Sequence, residues 1–268
     1  MNIVNRIEQK KPEFRFGIAS IIGGRESQQD YVYCYSGEKG DLAVVCDGMG
    51  GMEDGGRASR MVANQLGEQF IARSREVPVP EFFRTAALGI NSKVSSLKSV
   101  TGRRLNTGST LVAVTVEGGK LYWISVGDSR IYIIRNREMM QINEEHNYRL
   151  RLKEMLRDGT ISRAQYEVEE KSRKAEALIS YMGIPAQMLM DINQKPFDLA
   201  AGDIVLLCSD GLYKSLRDDQ ILALVRDNDV NLDIAADRLC SMALRYGGSG
   251  QDNTSVLLVQ YGPSKEDL

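Results

Sequence analysis

The chain has 268 residues, of which 43% are hydrophobic and 26% charged, and its formal net charge is −2. The apolar share is enough for a buried core and excludes a largely disordered chain, and the balanced charge argues against a nucleic-acid or membrane-surface binder. The longest apolar runs are far shorter than the roughly 18 residues of a membrane span, and the first residues lack the apolar core of a secretory signal. The sequence therefore predicts a cytoplasmic protein of one large or two small domains.

Short runs rich in Val, Ile, Leu and Tyr, bounded by Gly, Asp or Asn, predict β-strands. These runs are residues 15–22, 30–36, 42–46, 109–116, 121–126, 130–135, 204–209 and 254–260. Gly118-Gly119 separates two of them and predicts a hairpin turn.

Apolar residues at helical spacing predict helices over residues 56–73, 80–97 and 232–245. Asn231 is the predicted N-cap of the third helix, and Gly247-Gly248 its predicted end. Strand groups and helices follow one another without strict alternation, which predicts an α+β fold with largely antiparallel sheets.

Residues 147–176 differ from the rest of the chain because they are rich in Arg, Lys and Glu and poor in large apolar side chains. They predict a charged helical hairpin that turns near Asp158-Gly159 and projects from the main body. The composition leaves open whether this hairpin has a function or is only a solvated surface insertion.

Cysteine and histidine usage narrows the possible chemistry. The four cysteines, Cys34, Cys46, Cys208 and Cys240, form no CxxC pair and predict buried free thiols rather than disulfides or a zinc site. The single histidine, His146, leaves little room for a Ser-His-Asp triad or a His-rich zinc site. We interpret it as a packing or turn residue, and chemistry based on oxygen ligands remains open.

Acidic residues recur beside turn formers at the ends of predicted strands. Asp47, Asp128, Asp210 and Asp252 lie in the segments AVVCDGMGG, YWISVGDSR, VLLCSDGL and GQDNTSVLLV, and Asp30 directly precedes a strand. Taken singly, each reads as a turn residue. Taken together, they predict carboxylates converging at one rim of the sheets, where cations must offset their repulsion.

Oxygen ligands of this kind suit hard divalent ions such as Mg²⁺ or Mn²⁺. A glycine after the ligand, as in Asp47-Gly48, frees a backbone carbonyl to face such an ion. Arg25 would supply a fork-shaped donor for phosphate oxygens. The residues alone thus predict a carboxylate-lined metal site.

At these residues the chain resembles the metal-dependent Ser/Thr protein phosphatases, the protein phosphatase 2C family, and its compact bacterial members in particular. The motifs occur in the family order: Arg25 with Gln29-Asp30, AVVCDGMGG, NTGSTLVAV, SVGDSRIY, LLCSDGL and QDNTSVLLV. The resemblance implies a four-layer α/β/β/α sandwich of two mainly antiparallel sheets flanked by helix pairs. It also implies a single domain over residues 1–268, with a helical flap at about 147–180 beside the site.

The same resemblance implies hydrolysis of phosphoserine and phosphothreonine by a water activated at a pair of Mn²⁺ or Mg²⁺ ions, without a phosphoenzyme. Asp47 would bridge the ions, and Arg25 would hold the phosphate. The implied metal set is Asp47, Gly48, Asp210, Asp252 and Asp30, the last through water, with Asp128 as ligand of a third, weaker ion. Implied partners are phosphoprotein substrates and a Ser/Thr kinase counterpart.

The chain also departs from the family pattern. Lys214 stands where family members commonly have an Asp that helps to hold the third ion, and its charge would repel that ion. Met49 replaces a histidine that many eukaryotic relatives have, which excludes a histidine acid there. Gln29 precedes Asp30 where the family has an acidic residue, and the segment ISYMG, around Tyr181, replaces the family's Arg-Ala-Leu-Gly.

Alternatives to an active phosphatase remain open at this point. Lys214 and the ISYMG segment are compatible with a catalytically weak or inactive regulatory pseudophosphatase that binds phosphoproteins. A carboxylate-lined metal module unrelated to phosphate would have no use for Arg25.

Overall fold

Strands and helices follow one another in an order close to the predicted one. The computed structural model describes residues 4–8, 14–50, 54–226 and 231–262, with backbone only for 4–8. Gly51, at the end of the AVVCDGMGG segment, lies outside these ranges. The strands are β1 Val4–Glu8, β2 Phe14–Ile21, β3 Asp30–Gly37, β4 Gly40–Met49, β5 Gly108–Ser109, β6 Leu111–Glu117, β7 Lys120–Val126, β8 Arg130–Arg135, β9 Glu138–Gln141, β10 Asp191–Ile192, β11 Phe197–Asp198, β12 Ile204–Cys208 and β13 Thr254–Tyr261.

The helices lie mostly between or after groups of strands. They are α1 Asp54–Ala72, α2 Val79–Ser95, α3 Tyr148–Arg157, α4 Arg163–Glu169, α5 Asp210–Tyr213, α6 Asp218–Arg226 and α7 Leu232–Gly247, with 3₁₀ turns at Arg173–Glu176 and Gly248–Gly250. The Asn231 side chain caps α7 by accepting a hydrogen bond from the Ile234 N–H, as predicted. Helices α3 and α4 form the predicted hairpin, with Gly159 at a φ of +74° in the turn.

Two sheets form the centre of the fold. In the first, the order is β1-β3-β4-β6-β7-β10, with β5 paired to β4 and β11 to β7. Its β1–β3 pair is parallel and its other pairs are antiparallel. The second sheet has the order β2-β13-β12-β8-β9 and is antiparallel throughout. The Gly118-Gly119 turn joins β6 to β7, with both glycines at positive φ, as predicted.

Alternation along the strands separates three apolar layers. On β4, Leu42 and Val44 pack with α1 and α2, whereas Ala43 and Val45 face the second sheet. On β12, Leu206 likewise packs with α7 on the outer side of its sheet. Helices therefore cover both outer faces of two stacked sheets, which confirms the predicted four-layer α/β/β/α sandwich.

Differences from the predicted elements have local causes. The predicted strand 109–116 is divided at Thr110, whose backbone and hydroxyl turn to Asp47. Strand β9 was not predicted, because its hairpin turns through Asn136-Arg137, a pair without glycine that nevertheless adopts positive φ. All four cysteines are free and buried, as expected. Among the described helices, none is long and apolar enough to cross a membrane.

The packing of α1 on the first sheet depends on a close approach at Gly67. A Cβ added there would lie 2.3 Å from the Tyr33 ring, whereas one added at Gly89, on the exposed side of α2, would meet nothing within 4 Å. We expect Gly67→Ala to lower the free energy of unfolding by about 1–3 kcal/mol through overpacking. Gly89→Ala should instead raise it, by up to about 1 kcal/mol, through helix propensity. Urea unfolding of both variants tests this, and equal shifts would contradict the packing argument.

Candidate active site

The predicted acidic residues meet at one edge of the two sheets. Asp30 at the start of β3 lies directly opposite Asp47 near the end of β4 in the strand register. Asp128 lies in the β7–β8 turn, Asp210 follows β12 as the first residue of α5, and Asp252 precedes β13. All except Asp30 line a single cavity of about 530 Å³, and Asp30 is buried beside it.

Hydroxyl side chains hold Asp47 in place. Its backbone N–H donates to the Thr110 hydroxyl at 2.9 Å, and its carbonyl accepts from the Thr110 N–H at 2.8 Å and the Ser109 hydroxyl at 3.1 Å. The Thr110 hydroxyl is in turn 2.7 Å from that of Ser129. The carboxylate of Asp47, a residue that lines the cavity, is therefore attached to a backbone that neighbouring strands fix.

Gly48 follows Asp47 where the backbone passes close to α1. A Cβ added at Gly48 would lie 2.1 Å from the Gly55 carbonyl oxygen and 2.6 Å from that of Gln29. The Gly48 N–H donates to the Gln29 carbonyl at 3.1 Å. No side chain fits here, so the glycine of this motif is required by packing as well as by any role of its carbonyl.

Asp30 is held between the sheets by hydroxyl groups. The Ser209 hydroxyl donates to Asp30 Oδ2 at 2.7 Å. Asp30 Oδ1 is buried and has no hydrogen-bond partner among the described residues. Burial raises the pKa of Asp30 to about 7, against the hydrogen bonds from Ser209 and Ser255.

Asp210 carries an ion pair inside the site. Lys214, one turn further along, donates from Nζ to Asp210 Oδ2 at 2.6 Å, and Asp210 Oδ1 is buried without a hydrogen-bond partner in the described part of the chain. Burial alone would lower the pKa of Lys214, but Asp210 and Asp128 raise it overall, so its ammonium group stays charged. This geometry supports the expectation that a cation at position 214 disfavours a further metal ion on this side.

Arg25 and Asp252 form an ion pair at the edge of the cavity. Arg25 Nη2 lies 2.5 Å from Asp252 Oδ2, with side chains 57% and 38% exposed. The next residue, Asn253, braces the loop that carries Arg25: its side-chain oxygen accepts from the Gln29 N–H, and its amide donates to the Ile22 and Ser27 carbonyls. Arg25 is thus presented to solvent by a loop that is tied to the Asp252 strand.

Burial and the charges of neighbouring carboxylates raise the pKa values of Asp30, Asp47 and Asp128. Burial first, and then the charges of Asp30 and Asp210, raise the pKa of Asp47 well above its usual range. Burial and Asp210 raise the pKa of Asp128 to about 7, although Lys214 lowers it. A group of buried acids that resist ionisation at neutral pH is typical of a site that cations stabilise.

The donor set fits a hard divalent cation by its chemistry. Carboxylate oxygens face the cavity, and two buried oxygens, Asp30 Oδ1 and Asp210 Oδ1, lack a hydrogen-bond partner within the described ranges. Among the described residues, however, no three acidic, histidine or cysteine side chains already surround one point closely enough to ligate an ion. The fit therefore depends on the kind of donors rather than on a preformed cage.

The helical segment of residues 147–180 contributes Leu178 to the cavity wall. The ISYMG segment, residues 179–183, packs beside the site without lining this cavity. Tyr181 lies against Gly108, where a Cβ would be 2.5 Å from its ring, and Met182 pairs with Ser109 through two backbone hydrogen bonds. Met49 also lines the cavity, at the position where the sequence excludes a histidine acid.

Comparison with known proteins identifies the class to which this sandwich belongs. A model of the protein phosphatase 2C family matches residues 19–235, and the chain belongs to this family. The predicted resemblance and the predicted enzyme class, protein-serine/threonine phosphatase, are confirmed.

Individual relatives match over most of the chain. The serine/threonine phosphatase stp of Listeria monocytogenes is 29% identical over 223 residues, 82% of this chain and 84% of that protein. The solved serine/threonine phosphatase of S. agalactiae has a TM-score of 0.79 at 25% identity and covers 93% of this chain and 100% of its own. The catalytic domain of the phosphatase PstP, solved in complex with 2 manganese ions, has a TM-score of 0.69 at 25% identity, covering 93% and 99%.

Several residues that build the site were not predicted from the sequence. Ser109, Thr110 and Ser129 fix Asp47, Ser209 holds Asp30, and Asn253 braces the Arg25 loop. Each is adjacent or nearly adjacent to a predicted acid or lies in a quoted motif. The sequence signal that could have identified them is a residue with a hydroxyl or amide side chain beside an acidic residue at the end of a strand.

The raised proton affinities predict how stability depends on pH when a chelator is present. Folding raises the pKa of Asp128 from 3.8 to about 7, so the folded chain holds a proton that the unfolded chain has released. The free energy of unfolding should therefore fall as pH rises from about 4 to 7, and then level off. Asp128→Asn should remove part of this fall, on the order of a few kcal/mol. Urea unfolding at pH 5 and pH 8 in EDTA measures it.

The control for this experiment is Asp198→Asn, because Asp198 is 82% exposed and lies outside the cavity. It should keep the wild-type dependence on pH. Adding Mn²⁺ at pH 8 should recover stability in the wild type. Equal pH dependence in wild type and Asp128→Asn would contradict the raised pKa.

Proposed function

We propose that this chain hydrolyses phosphoserine and phosphothreonine in proteins at the acidic cavity, with a pair of Mn²⁺ or Mg²⁺ ions. The observation that carries the proposal is that Asp47, Asp128, Asp210 and Asp252 line one cavity with Arg25 at its edge. Membership of the protein phosphatase 2C family supports it, as does the manganese in the PstP structure.

Each residue of the site has a proposed part in holding the ions. Asp47, Asp210 and Asp252 would hold the ions through carboxylate oxygens, the Gly48 carbonyl would contribute a further oxygen, and Asp30 would act close by through water. Bound Mn²⁺ or Mg²⁺ would supply a water of lowered pKa and offset the charge of the phosphate. Lys214, paired with Asp210, favours two ions over three.

Arg25 is the proposed phosphate-binding residue. Its guanidinium group is more than half exposed at the edge of the cavity, so an entering phosphate meets it before it reaches the buried carboxylates. It can donate two parallel hydrogen bonds to phosphate oxygens. The chain's one histidine does not line the cavity, and we assign the proton for the leaving serine or threonine oxygen to water.

We also propose a cytoplasmic protein whose substrates are phosphoproteins made by a Ser/Thr kinase. The four buried free thiols favour a reducing compartment. The exposed charged surface of α3 and α4 is one place where a protein substrate could be distinguished from a small phosphate ester.

Phosphate release from a phosphothreonine peptide, titrated with Mn²⁺, tests the proposed function. Wild type should release phosphate only with Mn²⁺ or Mg²⁺, and EDTA should stop it. Asp210→Asn should lower kcat/KM by at least about a hundredfold, because a buried ligand with an unpartnered oxygen is lost. Asp198→Asn, an exposed acid, is the matched control and should keep wild-type activity.

Two outcomes would contradict the proposal. Equal release in EDTA and in Mn²⁺ would exclude metal-dependent hydrolysis. Metal-dependent binding of the phosphopeptide without any release, by a folded protein, would favour the regulatory pseudophosphatase, for which the Lys214–Asp210 ion pair is the supporting observation.

Arg25 provides a separate test of phosphate recognition. We expect Arg25→Ala to raise the KM for the phosphopeptide by roughly tenfold or more, with a smaller fall in kcat, because a charge-assisted donor to the substrate is lost. Arg25→Lys keeps the charge but not the fork and should be intermediate. Steady-state kinetics at saturating Mn²⁺ measures both. Unchanged KM in Arg25→Ala would contradict the assignment of Arg25 to phosphate binding.

A further inference from the structure

His146, the only histidine of the chain, lies outside the acidic cavity but contacts the turn that carries Asp128. It is 2% exposed. Its side-chain Nδ1 accepts a hydrogen bond from the Gly127 N–H at 3.1 Å, and its backbone N–H donates to the Gly127 carbonyl at 2.8 Å. Burial lowers the pKa of His146, which keeps the imidazole neutral and Nδ1 able to accept.

Gly127 lies at a tightly packed position of this turn. Its φ is +102°, and a Cβ there would lie 2.8 Å from the Thr110 side chain. Thr110 is the residue that holds the backbone of Asp47. The two hydrogen bonds between His146 and Gly127 thus fix a backbone position that only glycine adopts readily, directly before Asp128 and beside the support of Asp47.

The same histidine is bonded to the far end of the helical segment. Its carbonyl accepts from the Ile179 N–H at 2.9 Å, and the next residues pair across, with Asn147 opposite Leu178 and the Tyr148 N–H donating to the Ala177 carbonyl. Leu178 lines the acidic cavity. The backbone at His146 therefore pairs the two ends of the helical segment, and the imidazole holds this pairing to the Asp128 turn through Gly127.

A second line of contacts runs from Glu145 to the same turn. Glu145 accepts from Arg130 Nε at 2.6 Å and from the Asn147 amide at 2.7 Å. The Arg130 guanidinium lies 3.6 Å from the centre of the Tyr213 ring, and the Tyr213 hydroxyl donates to the Asp128 carbonyl at 3.0 Å. Asp128 is thus held on both sides by groups that meet at residues 145–147.

We propose that His146 is a positioning residue that fixes the Asp128 turn and both ends of the helical segment in one arrangement. Its loss changes access past Leu178 and the position of the Asp128 turn together. This inference rests on the proposed phosphatase function, since it concerns how a phosphopeptide reaches that site.

Two variants separate the hydrogen bond from the bulk of the side chain. His146→Leu keeps an apolar group of similar size but leaves the Gly127 N–H without its acceptor. His146→Asn keeps an acceptor close to the position of Nδ1. Hydrogen–deuterium exchange, measured on each protein in EDTA, should be faster by about tenfold in His146→Leu, both at residues 127–130 and at 177–182. His146→Asn should remain near wild type.

Kinetics supply a readout that a purely structural role would not move. For His146→Leu at saturating Mn²⁺, the KM for a phosphothreonine peptide should rise by about fivefold or more, while kcat/KM for a small aryl phosphate changes less than about twofold. The difference is expected because only the peptide must pass the helical segment. His146→Asn should restore the peptide KM.

The following results would overturn the inference. Faster exchange confined to residues 127–130, with an unchanged peptide KM, would mean that His146 holds only the turn. Equal losses on both substrates would mean a general structural role. If His146→Leu does not fold, Glu145→Gln replaces it and should give the same pattern more weakly, and no change in either region would contradict the coupling. Inactive wild type would contradict the proposed function and leave the exchange comparison valid.

Discussion

Mutual repulsion among buried carboxylates is the constraint on which the rest of this structure depends. Asp30 and Asp47 lie opposite each other on neighbouring strands, and Asp128, Asp210 and Asp252 join them from the other strand ends. Burial, and after it the neighbouring carboxylates, raise the pKa values of Asp30, Asp47 and Asp128, so ionising these three side chains at neutral pH costs folding free energy. The three apolar layers above, between and below the sheets supply the stability that such a site requires.

Two basic side chains, Arg25 and Lys214, offset part of this repulsion in different ways. Arg25 reaches Asp252 from an exposed loop, where solvent screens the pair and an entering anion can compete for the guanidinium group. Lys214, the residue directly after α5, reaches Asp210 from one helical turn away, in a partly enclosed position that also lowers the pKa of Asp128. The first arrangement suits a residue that exchanges partners during a reaction. The second suits a fixed charge that reduces the demand for ions on the Asp128 side.

The acids of the site could be predicted because each adjoins the end of an apolar strand, and strand ends of one sheet meet at a common edge. The layer order could be predicted from the same strands and from the capped, amphipathic helices. The residues that hold these acids could not be predicted, because Ser109, Thr110 and Ser129 are ordinary strand and turn residues in the sequence. Only the tertiary fold brings the Ser109 hydroxyl to Asp47 and the Thr110 hydroxyl to that of Ser129. The contact of His146 with Gly127 spans 19 residues and depends on the same tertiary arrangement.

The attachment of the helical segment explains why its ends matter more than its body. Leu152, Tyr166 and Ala175 form a small apolar cluster of their own, separate from the three layers of the sandwich. Such a satellite cluster stabilises the two helices internally but does not fix their position on the sheets. Position is set by the backbone pairing of residues 146–148 with 177–179 and of Met182 with Ser109. The first pairing reaches the Asp128 turn through His146, and the second reaches Ser109, which supports Asp47. A shift of the helical segment therefore acts on both sides of the acidic cavity.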